Sequence, residues 1–167
     1  MHEEQMEMKQ LDTGWRVTLL IWGAILASLG IYLVVCMIME KELQINIDPK
    51  LPLETIKHAL FGVSFITLFV VYYLRKFLLR TISSNVNSSQ TSSPQHPAVG
   101  KYLVLVLITS ALLESIGIYG LVLFFLAKDT SSLYQLLTIS AVAMIYFRPR
   151  KDELLNIAAQ MKAQRGK

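Results

Sequence analysis

The sequence predicts an all-α, polytopic membrane protein whose four transmembrane helices form two parallel hairpin repeats. Three observations predict this. First, the 167 residues are 53% hydrophobic and only 17% charged, whereas a soluble domain carries more charge and shorter apolar runs. Second, four apolar runs take up most of the chain and leave no room for a separate soluble domain. Third, twelve of the sixteen Lys and Arg residues fall in the N-terminal segment, the segment between runs two and three, and the C-terminal segment, and the other two loops hold four. The positive-inside rule therefore places both termini and the middle segment in the cytoplasm. The net charge of +4 follows from this loop distribution and does not point to nucleic acid.

Residues 1–14 read as a polar cytoplasmic tail. They are rich in Glu and Met, unlike the basic opening of a signal peptide. His2, Glu3, Glu4 and Glu7 could suggest a metal site, but a frayed terminus offers no rigid geometry. Asp12 or Thr13 can cap the helix that follows, and Trp15 and Arg16 suit the membrane interface. The first hairpin covers residues 15–80. Its first span runs over 17–39, ample for a hydrocarbon core of about 30 Å. Pro49 and Pro52 then break a polar external loop. The second span, 59–74, is short, with Lys57, His58, Arg75 and Lys76 snorkelling at its ends and residues 77–79 able to extend it. His58 has no acid or histidine at helical spacing and reads as an interfacial side chain.

Residues 81–100 are a serine-rich cytoplasmic linker with nothing to build a core. Asn87 matches the glycosylation pattern, but its cytoplasmic placement argues against modification. The second hairpin, 101–148, holds a third span over 102–127, a tight turn at Lys128-Asp-Thr130, and a fourth span over 131–147. The run Arg148-Pro-Arg-Lys151 stops it. In the basic tail, 149–167, Leu154, Leu155, Ala158 and Met161 share a helical face that could lie on the membrane surface or pack on a partner, and the tail reads first as a short solvated helix. The single cysteine, Cys36, lies in an apolar run, so an intramolecular disulfide and a cysteine-based metal site are excluded.

The first and third spans repeat each other. Gly23-Ala-Ile-Leu-Ala-Ser-Leu-Gly-Ile-Tyr32 aligns without gaps on Ser110-Ala-Leu-Leu-Glu-Ser-Ile-Gly-Ile-Tyr119. Ser28, Gly30 and Tyr32 recur as Ser115, Gly117 and Tyr119, and Ala27 stands where Glu114 stands. The second and fourth spans match more loosely, as Val71-Tyr-Tyr-Leu-Arg75 against Met144-Ile-Tyr-Phe-Arg148. Only the second copy carries an acid.

Glu114 is the one group in residues 103–126 that could be charged near neutral pH, and it lies near their midpoint. An ionised carboxylate at that depth costs several kcal/mol, so it should be protonated, paired or bound to a cation. At helical spacing Ser110, Glu114, Gly117, Ile118 and Leu121 share a stripe, with Ser115 and Tyr119 flanking it. Gly117 and Gly120 remove side chains and, with Ser110, make a close-packing face. Glu114, Ser115 and Tyr119 are the candidate ion-binding residues, able to hold a proton on a neutral carboxyl or, with backbone carbonyls, to ligate a small hard cation. The structural alternative is a permanently protonated Glu114 bonded to Ser, Thr or Tyr on a neighbouring helix.

The stretch Gly100-Lys-Tyr-Leu-Val-Leu-Val-Leu-Ile-Thr-Ser-Ala-Leu-Leu-Glu-Ser-Ile-Gly-Ile-Tyr-Gly-Leu-Val-Leu-Phe-Phe-Leu126 resembles the ion-carrying helix of the rotor-ring proteolipid, subunit c, of F-type and V-type ATPases. In that family a Glu is followed by a short apolar step and then Ile-Tyr-Gly-Leu-Val, as Glu114 through Val122 are here. The resemblance implies that Glu114 carries a proton or ion. The spacing of Glu114, Ser115 and Tyr119 is similar to the sodium-binding version, with the serine as ligand and the tyrosine supporting the carboxylate. The likeness is confined to this helix, and the second span is bulky where the family's first helix is glycine-dense.

The expected function is therefore that of a small proteolipid-like membrane protein whose mid-membrane carboxyl binds H⁺ or Na⁺ within an ion-translocating complex. The alternative is a non-transporting adaptor or assembly factor that docks through its third helix. No nucleophile with a base, metal-ligand cluster or phosphate-binding glycine loop is present, so an enzyme is not expected. Beyond H⁺ or Na⁺ no cofactor is expected. The expected partners are the lipid bilayer and other membrane subunits or further copies of the chain, and the expected location is the cell membrane.

Overall fold

Five prolines punctuate the chain, and every helix boundary respects them. The computed structural model describes the backbone of residues 2–42, 52–84 and 97–165 and the side chains of 5–40, 52–81 and 97–163. Most of the external loop, most of the serine-rich linker with Asn87, and the side chains of His2, Glu3 and Glu4 lie outside the described residues. The described chain forms five helices: α1 (His2–Glu42), α2 (Leu53–Ser84), α3 (Pro97–Ala127), α4 (Thr130–Tyr146) and α5 (Lys151–Arg165). Pro52 precedes α2, Pro97 opens α3 where its missing N–H costs nothing, and Pro149 separates α4 from α5.

Three of these helices, α1, α2 and α3, are long and apolar enough to cross a membrane. A fourth candidate is added if α4 and α5, bent by 47° at their junction, count as one broken span. The α3–α4 turn takes two residues. Lys128 adopts a left-handed φ of 53° and donates its N–H to Phe124 O at 2.8 Å. Asp129 then caps α4, accepting from Ser132 N at 3.0 Å and Ser132 Oγ at 2.7 Å. Lys57 on α2 ties into the same carboxylate at 2.8 Å.

The packing differs from two side-by-side hairpins. Helix α3 is central and packs closely on α1, α2, α4 and α5, whereas the backbones of α1 and α2 do not come within 8 Å of each other among the described residues. Glycine decides this arrangement. A Cβ on Gly117 would sit 2.7 Å from Leu29 Cδ2 of α1 and 3.2 Å from Leu137 Cδ2 of α4. One on Gly120 would sit 3.3 Å from the backbone of Leu133. These two positions let α1 and α4 approach α3 more closely than a side chain would allow. Helices α1 and α3 run parallel, because Gly14 lies on Val99 near one end and Leu29 lies on Gly117 farther along. Helices α2 and α4 are also parallel, since Lys57–Asp129 and Arg75–Phe147 are both pairs 72 positions apart.

Two apolar clusters hold the bundle. The larger unites Leu29 and Cys36 of α1, Val71 of α2, Leu113, Ile116 and Phe124 of α3, and Leu136 and Met144 of α4. The smaller joins Leu11 of α1, Val99, Tyr102 and Leu105 of α3, and Leu154, Ile157, Ala158 and Met161 of α5. This second cluster corrects the reading of both ends as solvated. Helix α1 begins well before Val17, and Asp12 and Thr13 lie inside it rather than capping it: Thr13 Oγ1 donates to Lys9 O at 2.9 Å, and Asp12 accepts from Lys151 Nζ at 2.7 Å. The apolar face of α5 is buried on α1 and α3 because burying Leu154, Ile157 and Met161 together offsets the ordering cost.

Candidate functional site

Position 114 lies close to the middle of α3, on the flank that turns toward α1. The long side chain of Glu114 crosses that interface half-buried. There Oε1 accepts from Ser28 Oγ at 2.7 Å and from Tyr32 OH at 2.7 Å. Ser28 and Tyr32 are four residues apart on α1, so both hydroxyls leave the same face one turn apart. Ser28 Oγ also lies 2.6 Å from Ile25 O. Among the described residues no cation pairs with Glu114, and no three His, Cys, Asp or Glu side chains cluster as metal ligands.

The other predicted site residues fall elsewhere. Ser115 donates its hydroxyl to Leu112 O of its own helix at 2.7 Å. Tyr119 is packed, partly buried, against the larger apolar cluster. Neither side chain bonds to Glu114. Gly117 and Gly120 sit at the contacts with α1 and α4, and Ser110 is buried one turn before Glu114. On the α4 side, Ser140 Oγ donates to Leu113 O at 2.7 Å, fixing the backbone next to the acid. The hydroxyls that reach Glu114 are thus the first-repeat counterparts of Ser115 and Tyr119. The repeat alignment held that signal, since Ser28 and Tyr32 follow Ala27, the position equivalent to Glu114, at the same spacing at which Ser115 and Tyr119 follow the acid.

The hydrogen-bond inventory determines what this arrangement can do. A hydroxyl has one proton to donate, and Ser28 stands between two acceptors. With Glu114 ionised, Ser28 and Tyr32 both donate to Oε1. With Glu114 protonated on Oε1, the carboxyl donates to Ser28 Oγ, Ser28 turns its own proton to Ile25 O, and Tyr32 keeps donating. Rotation of one hydroxyl therefore satisfies both protonation states. The oxygens of Ser28 and Tyr32 each lie at direct hydrogen-bond distance from Oε1, the spacing of hydroxyl donors on a carboxylate oxygen.

A second polar cluster lies where α2, α3 and the α4–α5 junction meet. Arg75, with a side chain 9% exposed, donates from Nη2 to Glu153 Oε2 at 2.8 Å and also binds the carbonyls of Phe147 and Arg148. Tyr102 OH lies 3.0 Å from both Arg150 O and Glu153 Oε2, and it accepts from Arg150 N at 2.8 Å. Arg75 therefore turns inward rather than snorkelling, because the bend after α4 delivers both a carboxylate and unpaired carbonyls to it. At the opposite end, the Lys57 ammonium holds the Asp129 carboxyl down at about 2, below its ordinary 3.8, with the Ser132 hydrogen bonds adding to the effect.

Comparison with protein-family models, curated proteins and solved structures finds no match to this chain.

Proposed function

We propose that the chain is a small multi-pass membrane protein in which Glu114 is a reversibly protonated carboxyl, serving proton movement within a membrane assembly. The observation that carries this reading is the pair of α1 hydroxyls on one carboxylate oxygen, with Ser28 able to serve either protonation state. The direct oxygen contacts favour H⁺ over Na⁺ as the bound ion. The sequence likeness of α3 to the ring-subunit helix supports the same role for Glu114.

Membrane placement draws support from the outer surface. Leu20, Ile31, Ile38, Phe65, Ile66 and Phe77 are each at least 61% exposed on α1 and α2, an apolar girdle suited to lipid. With both termini cytoplasmic, the Arg75–Glu153 knot lies at the inner face and the Lys57–Asp129 pair at the outer face, leaving Glu114 between them. The adaptor reading has its own observation: Val104, Ile108, Ile118, Val122 and Phe125 leave one apolar stripe of α3 exposed for a partner helix.

Dicyclohexylcarbodiimide, which reacts with protonated carboxyls reachable from lipid, separates the two. The proton-site reading expects an adduct at Glu114 by mass spectrometry that falls as pH rises, and expects Glu114→Gln to abolish the protein's activity in its assembly. An adduct suppressed by Na⁺ would replace H⁺ with Na⁺. No adduct at any pH, together with a fully active Glu114→Gln chain, would leave the adaptor reading standing.

A further inference from the structure

Helices α2 and α4 are tied at both ends, by Lys57–Asp129 and by Arg75 on the Phe147 and Arg148 carbonyls. Between the ties they part. The gap is an open apolar groove of about 630 Å³, with walls that include Phe65, Phe69 and Tyr72 of α2, Val142 and Tyr146 of α4, and Phe147 just after it. Phe65 to Lys76 spans about 16 Å of helix, roughly one leaflet of a hydrocarbon core about 30 Å thick.

The end of the groove nearest Arg75 is cationic. Lys76 is exposed one turn beyond Tyr72, Arg80 is exposed one turn further, and Arg148 is exposed directly after Phe147. None of these three side chains has an ion-pair partner among the described residues. The nearby Glu153 is committed to Arg75 and Tyr102, which leaves Asp152 as the exposed acid of that region. Tyr72, Tyr73 and Tyr146 are 50%, 65% and 68% exposed, and their hydroxyls have no hydrogen-bond partner among the described residues. An apolar slot one leaflet deep, with tyrosine hydroxyls and unpaired cations at its mouth, is complementary to one class of molecule: a chain-bearing anion.

We propose that the α2–α4 groove binds an anionic phospholipid, its acyl chain along Phe69 and Val142 and its phosphate at Lys76 and Arg148. Basic pockets between helices on the cytoplasmic side are suited to such headgroups, because anionic lipids concentrate in that leaflet. The inference rests on the membrane reading but not on proton binding at Glu114.

The test is native mass spectrometry of the full chain in mild detergent, titrated with phosphatidylglycerol or phosphatidylcholine of identical acyl chains. Wild type should retain phosphatidylglycerol with a preference of about tenfold or more, given two cations at the mouth. K76A/R148A should lose that preference while keeping wild-type helicity by circular dichroism, since both positions are exposed. Val142→Trp, at a position 61% exposed within the groove, should lower retention of both lipids. Equal retention of the two lipids, a preference that survives K76A/R148A, or Val142→Trp without effect overturns the proposal. Recovery of the chain in the soluble fraction without detergent would instead sink the membrane reading beneath it.

Discussion

The structure assigns Glu114 to partners on another helix, and a double-mutant cycle measures that assignment. The perturbations are Tyr32→Phe, which removes one hydroxyl and leaves the ring, and Glu114→Leu, which removes the acceptor. Tyr32 OH and Glu114 Oε1 are 2.7 Å apart, with Ser28 on the same oxygen. Interhelical hydrogen bonds in membranes average about 0.6 kcal/mol and reach about 1.7. A short bond at a half-buried carboxyl belongs between that average and that maximum, so the expected coupling between Tyr32 and Glu114 is about 1 kcal/mol. Tyr119, four residues along from Ser115 on the same helix as the acid, makes no bond to Glu114, and its coupling should lie within about 0.4 kcal/mol of zero. Reversible unfolding in mixed detergent micelles, run on both cycles, gives the two numbers. A Tyr119 coupling that equals or exceeds the Tyr32 coupling would refute the reasoning.

Further predictions concern the two ends of the bundle. Glu153→Ala leaves the Arg75 side chain, 9% exposed, without its carboxylate, and should cost about 3 kcal/mol and expose α5 to protease. Replacing both partners, as Arg75→Met with Glu153→Leu, should recover most of that loss; a double variant no better than the single one contradicts the assignment of the cost to an unpaired buried charge. At the other end Asp129 has a depressed folded-state pKa of about 2 against an ordinary 3.8. The stabilisation from its carboxylate is complete above that ordinary value and is lost as pH falls through about 2. Lys57→Met should flatten much of the stability decline below pH about 4, leaving what the Ser132 hydrogen bonds contribute; unfolding curves of wild type and variant that stay parallel through this window would contradict it.

The existence of the helices was legible because apolar runs and prolines are local signals. So was the acid, since a lone carboxylate in residues 103–126 stands out on solvation cost alone. Its partners were not legible from the helix itself. Periodicity places Ser115 and Tyr119 near Glu114 along one surface, but whether a hydroxyl turns to the acid or to its own backbone depends on what packs alongside. Ser115 bonds to Leu112 O, while α1 brings Ser28 and Tyr32 across the contact opened at Gly117. The echo between the two spans contained this answer, because parallel helices that share a residue pattern can exchange the roles of equivalent positions.

The paired-hairpin expectation assumed that chain neighbours pack together. It holds for α3 and α4, joined by a two-residue turn, and fails for α1 and α2 among the described residues, because the small-residue face lies on α3. Arg75 shows the same limit at long range. Its basic position at the end of a span reads as snorkelling, and only the bend after Tyr146 reveals the acid that draws it inward. The buried face of α5 was visible as a stripe, but the cover for that stripe comes from Leu11 and Val99, far away in sequence.

The central claim is that Glu114 takes up and releases a proton while Ser28 and Tyr32 hold it in both states. Infrared difference spectroscopy of the chain in lipid, taken across a pH titration, observes this directly through the carbonyl stretch of a neutral carboxyl. The account predicts a band that appears on acidification, is absent from Glu114→Gln, and shifts in frequency in Tyr32→Phe. A band present and unchanged at every pH would mean a permanently neutral staple between α1 and α3, and would contradict the proton-site reading.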